Sequence, residues 1–266
     1  MRKTLFLPIA LLITLVAGAQ NIRVAVGKKC KMLTDTKTIS GMSIMGQQVD
    51  ISSNSKAIAE IEIKTINPNG YTLSATLKRI TGSVNAMGQE QSFDSDDEST
   101  RNNPQMAEAF KMLNQSRELT VNNGKTITNE EVANFLTQMG GVGNLVDAVK
   151  LILAVPVNQL KQGYHWSDSS VSAESSMINQ YIITKADTKQ VEVTVNTDLK
   201  INGTIKQAGM EIKQKMMGAT TAIRVYTISN GLLISEISSI DMTGSAEVMG
   251  MSAPVTVKGT ITTTIE

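Results

Sequence analysis

The chain has 266 residues, with 25 Lys or Arg against 24 Asp or Glu and a formal net charge of +1. A balance so close to zero gives no electrostatic footprint for nucleic acid or an anionic membrane surface, so neither partner is expected. One cysteine excludes an internal disulfide, and one histidine excludes most metal sites and nucleophile–base pairs.

Arg2 and Lys3 precede an apolar run at residues 5–16 and then Ala17-Gly18-Ala19. Charged, apolar and small zones in that order form the pattern of a secretory leader, residues 1–19, and the run is shorter than the ~20 residues that span a bilayer. Cleavage after Ala19 is expected, leaving no integral membrane span. The expected location is periplasmic or secreted, with at most peripheral association with the outer membrane. Three segments follow: a first β unit at 20–92, a helical middle with a short β-hairpin at 93–162, and a second β unit at 163–266.

From residue 27 to about 92 the pattern has a period of two. Tyr71, Leu73, Ala75 and Leu77 alternate with Thr72, Ser74, Thr76 and Lys78, and Ala59, Ile61 and Ile63 alternate with charged residues. Half-buried strands read this way. Asn69-Gly70 between them predicts a hairpin turn with positive φ. Cys30 alternates with Met32 and reads as a small buried hydrophobe, with no neighbouring cluster to activate its thiol. Asp94, Asp96, Asp97 and Glu98 have the oxygen ligands calcium favours, but Ser99 stands where a calcium loop needs glycine, so a solvated loop is the better reading.

Pro104 opens a segment in which Met106, Ala109, Phe110 and Leu113 recur at helical spacing. Residues 117–128 return to strand character around Asn123-Gly124. Thr128 and Glu131 then have the form of a capping box ahead of Val132, Phe135, Leu136 and Met139, with Gly140-Gly141 as the stop. Leu145, Ala148, Val149 and Ile152 make a third helical stripe that ends near Pro156. His165, between Tyr164 and Trp166, has no partner legible in the sequence and reads as packing at the junction into the next sheet. Val191, Val193 and Val195, and later Val255, Val257 and Ile261, continue the strand pattern.

Residues 65–88 return as residues 227–250 at an offset of 162 (227 − 65 = 162): Thr81-Gly82-Ser83 maps to Thr243-Gly244-Ser245, and Met87-Gly88 to Met249-Gly250. Ile39-Ser40-Gly41 maps to Ile201-Asn202-Gly203 at the same offset. A duplicated sheet unit is expected, with the shared glycines serving turns. The 15 methionines, among them Met42, Met45, Met216, Met217, Met249 and Met251, invite a copper(I) reading, but a chain with 3% aromatic residues needs methionine as a core filler. Nucleotide-binding glycine motifs and G-x-S-x-G are absent from the sequence, so no cofactor and no catalytic constellation are expected.

A leader, a β half ending in Met87-Gly88-Gln89 and Phe93-Asp94-Ser95, a helical middle, Gly163-Tyr164-His165-Trp166 and a second β half together resemble a family of uncharacterised exported proteins of Bacteroidetes-type bacteria. The resemblance implies an envelope location and supplies no activity.

The expected fold is α+β: two related antiparallel β units with a three-helix insert packing on an apolar sheet face. An outer-membrane barrel is disfavoured by the scarcity of aromatic residues for interfacial girdles. The expected function is a non-enzymatic envelope protein that holds an apolar ligand, a lipid or peptide, between curved sheet and helices. Its expected lining is Met106, Phe110, Leu113, Phe135, Leu136, Met139, Leu145, Val149 and Ile152. The alternative is a structural or assembly protein that engages an envelope partner through sheet edges; an enzyme using Tyr164, His165 and the acidic cluster ranks third.

Overall fold

The computed structural model describes residues 23–44, 47–101, 110, 113–122, 125–127, 148–171, 175–207, 210–248 and 250–266. The expected leader and the Asn123-Gly124 turn lie outside them. Twelve strands organise the rest: β1 (Lys29–Ile44), β2 (Gln47–Asn67), β3 (Gly70–Ala86), β4 (Gln89–Asp94), β5 (Ser116–Asn122), β6 (Lys125–Ile127), β7 (His165–Val171), β8 (Ser175–Ala186), β9 (Gln190–Gln207), β10 (Met210–Thr227), β11 (Leu233–Val248) and β12 (Met251–Ile265). They form one sheet in the order β6-β5-β3-β2-β1-β12-β11-β10-β9-β8-β7, with β4 paired to the upper part of β3. Neighbours run antiparallel, and β1 and β12 meet at the middle, from Met32 opposite Ile265 to Met42 opposite Val255.

Alternation dictates which face is inside. Ile61 and Ile63 on β2, Leu73 on β3, Ile183 on β8 and Val191, Val193 and Val195 on β9 are almost fully buried, while their sequence neighbours face outward. The sheet curls strongly, because side chains from β3 and β5 near one end and from β7 and β8 at the other line a single cavity.

The expected α+β architecture is corrected here. Strands hold 77% of the described residues, and no helix among them reaches seven residues, so the described residues are an antiparallel sheet and form no three-helix layer among themselves. Two single turns, α1 (Glu98–Arg101) and α2 (Ala148–Leu151), are helical, with a 3-10 turn at Val157–Gln159. The first two expected helices fall on residues outside the described set, apart from Phe110 and Leu113. The third begins as α2 and then gives way to an extended segment. Ile152 bridges to Leu232, and the Leu153 N–H donates to the Gly231 carbonyl at 2.8 Å. β-Branched Ile152 and Val155, and the position of Val155 before Pro156, favour extension over helix.

That segment, residues 151–156, is a strap across the concave face. Leu151 and Ile152 join a core with Cys30, Met32, Ile61, Tyr71 and Leu73, whereas Leu153 and Val155 join a second core with Ile183, Val193, Ala222 and Tyr226. Burial pushes the Cys30 thiol upward, as expected of an inert core cysteine.

Glycines depart from their expected role in two places. The turn residues between β2 and β3 are Pro68 and Asn69, and Gly70 pairs with Asn67 without a positive φ; a Cβ there would fall 1.8 Å from the Val121 carbonyl oxygen of β5. Gly82 and Gly244 sit within β3 and β11, where a Cβ would approach the Asn54 and Lys215 carbonyl oxygens at 2.2 and 2.0 Å. Close strand approach, and not turn geometry, requires them. Met87 (φ 55°) and Gly88 (φ 78°) do form a tight two-residue turn between Ala86 and Gln89.

Candidate functional site

Beneath the strap lies a cavity of ≈ 290 Å³. All four tyrosines of the chain, Tyr71, Tyr164, Tyr181 and Tyr226, and its single tryptophan, Trp166, line it. Local periodicity explains part of this convergence. Tyr164, Trp166 and Asp168 stand at alternate positions leading into and along β7, so they share one face. Register supplies Tyr181, which lies directly opposite Trp166 on β8. Their rings stack at a centroid distance of 4.9 Å and an interplanar angle of 1°, and Tyr164 adds a second stacked ring 5.6 Å from Trp166. Tyr71 comes from the other end of the sheet, brought in by the curl.

A polar network borders the rings. The Tyr181 hydroxyl donates to Asp168 Oδ2 at 2.8 Å, and Asn179 Nδ2 donates to Asp168 Oδ1 at 2.7 Å. Thr197 Oγ1 donates in turn to Asn179 Oδ1 at 2.7 Å. Burial, reinforced by the Asp168 charge and hydrogen bond, pushes the Tyr181 phenol well above its ordinary value, so it remains a donor.

Behind the rings, Arg224 and Glu236 stand opposite each other on β10 and β11, and Thr263 stands opposite Glu236 on β12. Glu236 is 3% exposed. Arg224 Nε donates to its Oε2 at 2.6 Å, and Lys150 Nζ, on α2, donates to its Oε1 at 2.7 Å and to Thr263 Oγ1 at 3.4 Å. The Tyr226 hydroxyl donates to the Lys150 carbonyl at 3.0 Å. Burial alone raises the Glu236 carboxyl, but Lys150 and Arg224 outweigh it and hold the group below the usual carboxylate range. The helical turn that leads into the strap is therefore tied to the sheet by a buried ion cluster, and the strap itself by its apolar side chains.

Of the expected lining residues, Ile152 lines this cavity. Phe110 is buried but contributes to neither the cavity nor the two cores, and Leu113 lies half-buried in a turn. Val149 belongs to α2, although its side chain, like Met106, Phe135, Leu136, Met139 and Leu145, lies outside the described set. The aromatic group and Asp168 were the residues missed. Alternation over Tyr164, Trp166 and Asp168 was the available signal. His165 is exposed, its Nδ1 3.4 Å from the Gly163 carbonyl.

The acidic cluster is used structurally. Arg79 holds Asp94 at 2.7 Å and Asp96 at 3.0 Å, and Asp97 accepts from the Ser99 N–H at 2.9 Å at the start of α1. The Arg79 hydrogen bond holds the Asp94 carboxyl below its ordinary value. Met216 and Met242 are buried and pack against Gly244 and Gly218 on the inner face.

The chain matches no family model and no curated protein. Among solved structures, it is similar to an outer membrane channel from Pseudomonas putida F1 at 7% identity and a TM-score of 0.30, over 92% of this chain and 97% of that one. It is also similar to OccK7 (OpdD) from Pseudomonas aeruginosa at 4% identity and a TM-score of 0.27, over 90% of this chain and 99% of that one. Likenesses this slight assign neither function nor shared ancestry.

Proposed function

We propose that this is an exported, non-enzymatic envelope protein that binds a small molecule in the aromatic cavity beneath the strap. One observation carries the reading: the four tyrosines and the single tryptophan of an aromatic-poor chain are gathered around one space. Core packing alone does not need them together, since the other buried positions of the two cores are filled by Ile, Val, Leu, Met, Ala and Cys. A volume of ≈ 290 Å³ lies at the lower bound of ordinary ligand sites. Export rests on the charged, apolar and small zones at residues 1–19.

Native mass spectrometry of protein isolated from a bacterial envelope is the direct test. Trp166 is the sole tryptophan, so its emission reports occupancy without labelling. A co-purifying small molecule whose removal shifts Trp166 emission is the expected outcome; no retained mass, together with an emission insensitive to envelope extract, would refute the proposal.

A second reading, an assembly protein, is favoured by the outer face. Ile182, Ile223 and Ile237 are 40%, 47% and 58% exposed and stand in one register row across β8 to β11, separated only by Thr194. Crosslinking at Ile223 that captures one dominant envelope protein would favour it over the binding reading.

A further inference from the structure

Resting on the reading of the cavity as a binding site, we infer the class of its ligand: a small uncharged ring compound with one O–H or N–H donor, a phenol or an indole. Size sets the first limit. A space of ≈ 290 Å³ is on the order of ten water volumes. It holds one or two fused rings and is several times too small for a diacyl lipid, which departs from the lipid expected at the outset.

The walls set the shape. Aromatic rings of Tyr71, Trp166 and Tyr226 stand in the walls, and a planar ligand gains from ring pairs, stacked or edge-to-face, beyond simple burial. A flexible alkyl chain gains no such increment and loses more rotational freedom on binding.

Charge sets the third limit. Asp168 and Arg224 both line the cavity: Arg224 is ion-paired to Glu236 at 2.6 Å, and Asp168 accepts from the Tyr181 hydroxyl and Asn179 at 2.8 and 2.7 Å. A cationic ligand faces Arg224 and an anionic one faces Asp168, so neither sign recovers the desolvation of an ion. A neutral donor is different. An ionised carboxylate offers about four acceptor sites, and the two hydrogen bonds from Tyr181 and Asn179 leave capacity on Asp168 for an O–H or N–H.

Isothermal titration with four probes of one ring size tests this: para-cresol, its methyl ether, tyramine and para-hydroxyphenylacetate. Para-cresol is expected to bind about tenfold more tightly than the ether, the effect of one charge-assisted hydrogen bond, and more tightly than either charged probe. In Asp168→Ala the cresol-to-ether ratio should fall to about one. Asp168→Asn, which keeps one acceptor oxygen, should retain a preference, guarding against misfolding as the cause. Equal binding of cresol and ether, or tighter binding of a charged probe, overturns the ligand class and leaves the cavity reading standing. Failure of all four probes with a mass retained in native spectra also overturns the class alone; failure with no retained mass overturns both.

Discussion

Glu236 faces two cations with one carboxylate in a nearly dry setting, so its removal and theirs are not equivalent. Replacing Glu236 with Gln removes the carboxylate that both Lys150 and Arg224 pair with and should cost about 3–5 kcal/mol, the usual penalty for breaking one side of a buried pair. Lys150→Met leaves the Arg224–Glu236 pair intact and should cost distinctly less. Urea unfolding of the two variants at neutral pH checks the order; equal losses would place the stability elsewhere. The pH profile carries the same information. Because its carboxyl lies low in the folded state, Glu236 contributes stability that is present above its unfolded value near 4.3 and is lost as pH falls through the lower folded value. Glu236→Gln should therefore flatten the acid limb. Tyr181 acts at the other end. Its folded value is raised, so its contribution is complete below about pH 10 and is lost as pH rises beyond that, and Tyr181→Phe should flatten the alkaline limb.

At the scale of the element, the strap depends on how it meets the turn before β11. Gly231 has φ 72°, and a Cβ there would come 2.9 Å from the Leu153 carbonyl oxygen. Gly231→Ala should therefore incur the left-handed penalty of about 1–2 kcal/mol and also push the strap away. Gly88 is a matched control: φ is 78°, but nothing lies within 4 Å of its Cβ position. Hydrogen exchange at the Leu153 N–H, which bonds to the Gly231 carbonyl at 2.8 Å, separates the two effects. Faster exchange there in Gly231→Ala but not in Gly88→Ala is expected; equal exchange would mean that the strap does not rest on this turn. Leu153→Ala should enlarge the cavity and cost about 2–5 kcal/mol, as core truncations do. The mixed character of the strap also explains why it was misread. Leu145, Ala148, Val149 and Ile152 fit a helical period, yet a short apolar run fits a buried extended segment equally well, and the Gly231 and Leu232 partners that decide between them lie some 80 residues away in the chain.

For the whole molecule, alternation over residues 27–92 and 163–266 was enough to read the strands, because a half-buried strand writes its two faces into every second residue. Strands begin at residues 29, 47, 70 and 89 for β1 to β4 and at 190, 210, 233 and 251 for β9 to β12. A curved sheet was expected, but the degree of curl that brings Tyr71 to Trp166 was not legible, since it depends on how twist accumulates over a dozen strands and not on any local pattern. The same alternation bears on how the protein meets a membrane. Lys37, Asp50, Lys56, Lys213, Lys215, Asp241 and Lys258 are exposed on the outer face, while Ile51, Val84, Ile201, Val255 and Val257 sit half-buried on the inner one. A sheet that spans a bilayer needs the reverse, an apolar outer band about 25 Å tall against lipid and a polar lumen. Charged side chains at the bilayer midplane cost about 2–4 kcal/mol each, and this face carries them on β1, β2, β10, β11 and β12. The protein should therefore leave envelope membranes in alkaline carbonate and stay in the aqueous phase of a detergent partition. Retention in the membrane pellet, with heat-modifiable migration on gels, would show that the outer face meets lipid despite its charges.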